Sequence, residues 1–190
     1  MKTLILLIVI VAATIQLVSA QEEIKTQYSF GLSQFNSGSG FQGGYEMQIQ
    51  IQPNAKAKVG FGLFMDRESG KLSGITVTHQ RMLMSGRVHA PKLQPYIFYN
   101  FIYRKTNIPE LQVSEMAATP DVVTYTSMEH HLGFGLQARV TKLVSLHGGL
   151  AYGIYLGSIK RPSAPNPITQ EITGTNGGAI LAKFGVAISI

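Results

Sequence analysis

Residues 45–64, YEMQIQIQPNAKAKVGFGLF, repeat with a period of two. Tyr45, Met47, Ile49 and Ile51 fall on one set of positions; Glu46, Gln48, Gln50 and Gln52 fall on the other. After Pro53-Asn54-Ala55 the alternation resumes with Ala57, Val59, Phe61 and Leu63. Successive side chains of a strand point to opposite faces, so this stretch reads as two strands joined by a tight turn, with one greasy face and one polar face.

The same pattern recurs, and no helical period competes with it. Eight segments are predicted as strands: Ile24–Ser33, Phe41–Gln52, Lys56–Met65, Gly74–Met84, Leu93–Arg104, Met128–Arg139, Leu143–Leu156 and Gly178–Ile190. Most exceed the roughly 5–6 residues usual in soluble proteins and match the roughly 9–11 that a tilted strand needs to cross a bilayer. Longer connections alternate with shorter ones. The two longest, 105–127 and 157–177, are rich in Pro, Ser, Thr and Asn, as solvated loops are. In an up-and-down barrel such alternation puts short turns at one end and long loops at the other.

Sorting by parity assigns the faces. Met128, Leu132, Phe134, Leu136 and Ala138 share an apolar face interrupted by His130, and Val144, Leu146, Leu150, Tyr152, Ile154 and Leu156 form another. The last segment sets Ile180, Ala182, Phe184, Val186, Ile188 and Ile190 against Lys183, Gly185 and Ser189. The polar faces carry Gly, Gln and Ser with isolated charges, a composition suited to filling a narrow lumen. Lys or Arg facing lipid at mid-depth costs about 2–4 kcal/mol, and none stands on the apolar faces of these segments. The fourth segment fits poorly: His79 and Arg81 share a face with Ile75, Val77 and Leu83, which calls for a bulge or for a place near the headgroups. Three-residue turns at 53–55 and 140–142 would put Gln50 opposite Lys58, Glu46 opposite Gly62, and Gly135 opposite His147. Phe30, Phe41, Tyr45, Phe101, Tyr103 and Tyr152 are expected at the loop ends, forming a belt at the outer headgroups in a chain without Trp.

Composition then narrows the setting. Residues 1–20, MKTLILLIVIVAATIQLVSA, combine Lys2, an apolar run and small residues before Gln21, the pattern of a cleaved signal peptide. The absence of Cys excludes disulfides, thiolate nucleophiles and zinc-thiolate sites. Losing Lys2 with the leader takes the formal charge from +6 to +5, and the basic residues are scattered, so a nucleic-acid partner is not expected.

With the leader, the paired segments LQPYIFYNFIYRK and LGFGLQARVTKLVSLHGGLAYGIYL, and the terminal GGAILAKFGVAISI, the chain resembles the small eight-stranded outer-membrane barrels, a broad porin-like family that includes the outer membrane protein A and X types. The resemblance covers residues 21–190 and implies an all-β, eight-stranded antiparallel up-and-down transmembrane β-barrel in a Gram-negative outer membrane. Its implied partners are outer-membrane lipid, lipopolysaccharide and the barrel-insertion machinery. Family members usually end in an aromatic residue that the machinery reads, whereas this chain ends in Ile190, leaving the alternation from Phe184 to Ile190 to be read instead.

Candidate chemistry is sparse. Glu46, Lys58, Arg104, Glu129 and Lys183 fall on lumen faces and are expected to form a structural charge network, with Arg104 and Glu129 close together at the ends of one loop. A gate is the functional alternative. His131 and His147 also face inward, over 10 Å apart, too far for one zinc ion. Ser127, Glu129 and His131 share a face as in lipid-acting barrel hydrolases, yet side chains two apart on a strand are about 7 Å apart, and the sequence names no partner on another strand to complete the set. The expectation is therefore a non-enzyme without cofactor or metal, acting structurally or through its outer loops. Arg104, Lys105, Lys160 and Arg161 are candidates for lipopolysaccharide phosphates. The rivals are a narrow passive pore and a soluble lipocalin-like barrel with its apolar face inside.

Overall fold

The period-two stretches pair in sequence order into a ring. The structure, a computed structural model, describes residues 26–37, 43–67, 70–84, 93–109, 122–161 and 171–190. The strands are β1 (Gln27–Ser37), β2 (Gly44–Gln52), β3 (Ala57–Asp66), β4 (Leu72–Met82), β5 (Leu93–Pro109), β6 (Val122–Arg139), β7 (Val144–Arg161) and β8 (Glu171–Ser189). Each pairs antiparallel with its neighbours, and β8 returns to β1 with Ser29 opposite Ser189 and Ser37 opposite Leu181, so the sheet is a closed barrel. Closure leaves no edge along the paired length, as strand-built membrane spans require. The leader segment and Phe41 lie outside the described residues.

Register differs from the expectation by two residues at both short turns. Ile51 stands opposite Val59 and Gln50 opposite Gly60, and Glu46 therefore meets Phe64. Across the other turn Gln137 meets His147, and Gly135 meets Gly149. The cause is local. Asn54 Oδ1 accepts the Lys56 and Ala57 N–H groups at 2.9 and 2.8 Å, and Thr141 Oγ1 accepts those of Leu143 and Val144 at 3.1 and 2.9 Å. These side chains satisfy turn amides, so each turn can lengthen past the three residues expected of it. An even shift keeps every side chain on its predicted face.

Sidedness follows the pattern. Ile49, Phe61, Leu132, Phe134, Leu150 and Phe184 are exposed on the outside, while Glu46, Gln48, Gln50, Thr76, Thr78, Asn100 and Glu129 are buried within. A soluble barrel with an apolar interior is the reverse of this arrangement. Lipid is the solvent that favours the observed one. β4 is regular where His79 and Arg81 stand: Thr76, Thr78, Gln80 and Met82 point inward, and His79 and Arg81 point outward at the short-turn end, with Arg81 opposite Ala57 and Ile97. The headgroup placement accounts for them without a bulge. His130, also outward, is satisfied by Tyr99, whose hydroxyl lies 2.6 Å from His130 Nδ1, and it packs on Phe101.

The four later strands, 17 to 19 residues long, outreach the earlier four, 9 to 11 long, so both expected long loops begin as paired strand. Asn107 pairs with Thr124, and Lys160 pairs with Ile172, beyond the predicted ends. The aromatic belt is partly corrected: Tyr45 and Tyr103 sit toward the long-loop end, but Phe30, opposite Ile49 and Ile188, lies near the short-turn end.

Candidate functional site

The polar face of β2 builds the middle of the lumen. Ser29 Oγ donates to Gln50 Oε1 (3.2 Å), Gln50 Nε2 to Gln48 Oε1 (2.7 Å), and Gln48 Nε2 to Glu46 Oε1 (3.3 Å). Every donor in this chain points toward Glu46, so the amide dipoles add head to tail and present their positive ends to its carboxylate. Thr76 Oγ1 donates to the same oxygen, and Lys183 Nζ lies 2.5 Å from Oε2. Gln48 also donates to Thr78 (2.9 Å), and Thr78 donates to Asn100 (2.6 Å), linking β2, β4 and β5. Glu46 is fully buried, and a carboxylate so placed must be paired and hydrogen-bonded.

Toward the long-loop end, Arg104 Nη2 lies 2.7 Å from Glu129 Oε1. These residues sit on adjacent strands, where Arg104 is paired with Ser127 and Ile102 with Glu129, so the ion pair crosses one diagonal of the ladder. The guanidinium also stacks over Phe64 and Phe35, 5.0 and 5.7 Å from their ring centroids. The two rings are 4.6 Å apart. Arginine's flat cation suits this position because it offers donors at its rim and faces to the rings.

Toward the short-turn end, Lys58 Nζ donates to Gln137 Oε1 at 3.1 Å, and His147 Nε2 lies 3.0 Å from Ser33 Oγ. Tyr96 and Phe98 fill this half of the lumen. Space for them comes from glycine: a Cβ on Gly149 would stand 2.7 Å from the Phe98 ring, and one on Gly135 would run into Tyr96. Tyr96 Oη donates to the Gly148 carbonyl at 3.3 Å.

The five charged candidates thus divide into two ion pairs and one lysine with an amide partner, distributed along the barrel. Arg104 is buried inside and not available at the outer rim; Lys105 is exposed there, and the side chains of Lys160 and Arg161 lie outside the described residues. Ser127, Glu129 and His131 are all buried in the lumen, shut away from lipid. His131 Nε2 is 3.6 Å from Glu129 Oε2. His131 is paired with Gly153 and His147 with Gln137, six residues or about 20 Å apart along the strand. Among the described residues no cluster of three His, Asp or Glu side chains could hold a metal ion. Sequence reasoning did not find Thr76, Thr78, Asn100, Ser33 or the inward aromatics. The available signal was large residues of polar-face parity, Phe35, Phe64, Tyr96 and Phe98, on strands whose neighbours carry inward glycines.

No protein-family model matches the chain, and no curated protein matches it. Solved structures do. A major outer membrane protein from Thermus thermophilus superposes with a TM-score of 0.51 at 11% identity, covering 88% of this chain and 100% of that one. This is the fold of the small eight-stranded outer-membrane barrels. The N-terminal β-barrel domain of Pseudomonas aeruginosa OprF gives a TM-score of 0.47 at 14% identity, with 87% and 100% covered. Neisserial surface protein A gives 0.42 at 14%, with 86% and 94% covered.

Proposed function

We propose that this chain is an integral barrel of a bacterial outer membrane, exported by a cleaved leader at residues 1–20, whose wall is a scaffold and whose long-loop end is its interaction surface. One observation carries the reading: a lumen filled by paired charges and aromatic rings inside a wall whose outer face is apolar. An apolar exterior needs lipid, and a filled interior leaves the loops as the surface on which binding is expected. Outer-membrane lipid surrounds the wall, lipopolysaccharide phosphates meet the exposed Lys105, and the insertion machinery reads the β8 alternation. No chemistry is assigned to the barrel.

The test has two arms. Protein extracted from outer membranes should migrate differently on gels before and after boiling, as a folded barrel does. In planar bilayers it should give no steady conductance steps. Recovery in the aqueous fraction with heat-insensitive mobility overturns the membrane reading, and steady conductance replaces the scaffold with a passive pore.

A further inference from the structure

Lys58 stands apart from the other buried charges. Glu46 is matched by Lys183, and Arg104 by Glu129. Among the described residues Lys58, 6% exposed, has one neutral acceptor, the Gln137 side-chain oxygen. The remaining buried acid among the described residues, Asp66, is eight residues away along β3, about 26 Å. Glu129 is eight residues from Gln137 on β6. Arg139, two residues beyond Gln137 and exposed at the mouth, lines the same pocket and adds a second positive charge, not a counter-charge. A buried ammonium without a counter-charge costs far more than one neutral hydrogen bond returns.

Beside Lys58 the short-turn mouth holds a small, partly open pocket of about 10 Å³. Its lining includes Lys58, Gln137, Arg139, Thr141, Lys142 and Ser145, and contains no acidic side chain. Thr141 Oγ1 accepts two turn amides, which leaves its own O–H free to donate. The pocket is small and opens to solvent beside the exposed Arg139 and Lys142, so a single-atom anion can seat at Lys58 where a polyatomic one such as phosphate cannot. We infer that the mouth between the β6–β7 turn and the short-turn ends of β1, β2, β3 and β8 binds one small inorganic anion, chloride in kind, held by Lys58 with Arg139 and the Thr141 turn. The site uses the barrel alone and is independent of what the outer loops meet.

The experiment replaces gluconate by chloride at constant ionic strength and follows thermal unfolding of the full detergent-solubilised chain by loss of its folded gel mobility. The midpoint should rise by about 3 °C or more once chloride is tenfold above its dissociation constant. Lys58→Met, which keeps the stem and removes the charge, should unfold at one temperature in both salts. Crystals of the wild-type chain soaked in bromide should show an anomalous peak within hydrogen-bonding distance of Lys58 Nζ, a readout that does not depend on the variant folding. A chloride response that survives in Lys58→Met, a response to phosphate but not chloride, or an empty mouth in the bromide data overturns the proposal. None of these results alters whether the barrel conducts or partitions with the membrane, so failure here is separable from failure of the scaffold reading.

Discussion

Glu46 shows how a single charge is kept in a lumen without bulk water. It takes Lys183 on one oxygen, and on the other Thr76 together with the oriented amide chain from Gln48 and Gln50. Glu46→Gln removes the charge and strands Lys183, and breaking a buried pair in this way costs about 3–5 kcal/mol. The urea midpoint of the variant should fall accordingly, and Glu46→Gln with Lys183→Met should recover most of the loss because no charge is left alone. A double variant no more stable than the single would show that Lys183 draws its stability from another partner. At this scale the sequence was legible in one respect. Isolated charges on a polar face identify lumen residues, because parity is a local property. Which partner each takes depends on register and on how far a side chain reaches across the ring. Thr76, Thr78 and Asn100 look like ordinary strand residues until β4 and β5 are placed beside β2.

At the scale of the strand, faces were readable and ends were not. Alternation is written in neighbouring residues, so Ile49, Phe61 and Leu150 could be placed outside from the sequence alone, and they are exposed. The two-residue register error came from Asn54 and Thr141, whose side chains cap their turns and which hydrophobic periodicity does not weigh. The underestimated lengths of β5 to β8 have a different origin. Segments such as Thr124–Ser127 and Thr173–Gly177 are polar because they pair beyond the apolar band, and polarity without an apolar face reads as loop. The outward His79 and Arg81 mark where the band ends. Leu150→Arg, mid-strand between Phe134 and Ala182, should therefore lower the unfolding free energy by about 2–4 kcal/mol, and Leu83→Arg, two residues past Arg81, by about 0–1 kcal/mol. Both are measured by urea titration in lipid vesicles. Equal costs at the two positions would mean that the apolar band extends past Arg81.

For the whole molecule, the question is whether the lumen is a packed interior or a path. An eight-stranded barrel is just wide enough for its own side chains, so modest changes in their volume decide between the two. At the long-loop end the space is taken by Phe35 and Phe64 with the Arg104 guanidinium stacked over them, and at the short-turn end by Tyr96 and Phe98 seated on glycine. The Arg104–Glu129 pair keeps the guanidinium over the outer rings, while the rings themselves take up the space. Removing the two outer rings should then do what removing one charge does not. Phe35→Ala with Phe64→Ala keeps the Arg104–Glu129 pair and both strand ladders while opening the long-loop half to water. Such large-to-small changes cost about 3–5 kcal/mol each in a core that cannot refill, and less here because water can enter. Heat-modifiable mobility provides the folding control. In planar bilayers the double variant should give frequent openings where the wild type is silent, and these should stay brief because Tyr96 and Phe98 still narrow the other half. If the variant is folded and as silent as the wild type, the short-turn half is the true barrier, and Tyr96→Ala should be the change that opens it.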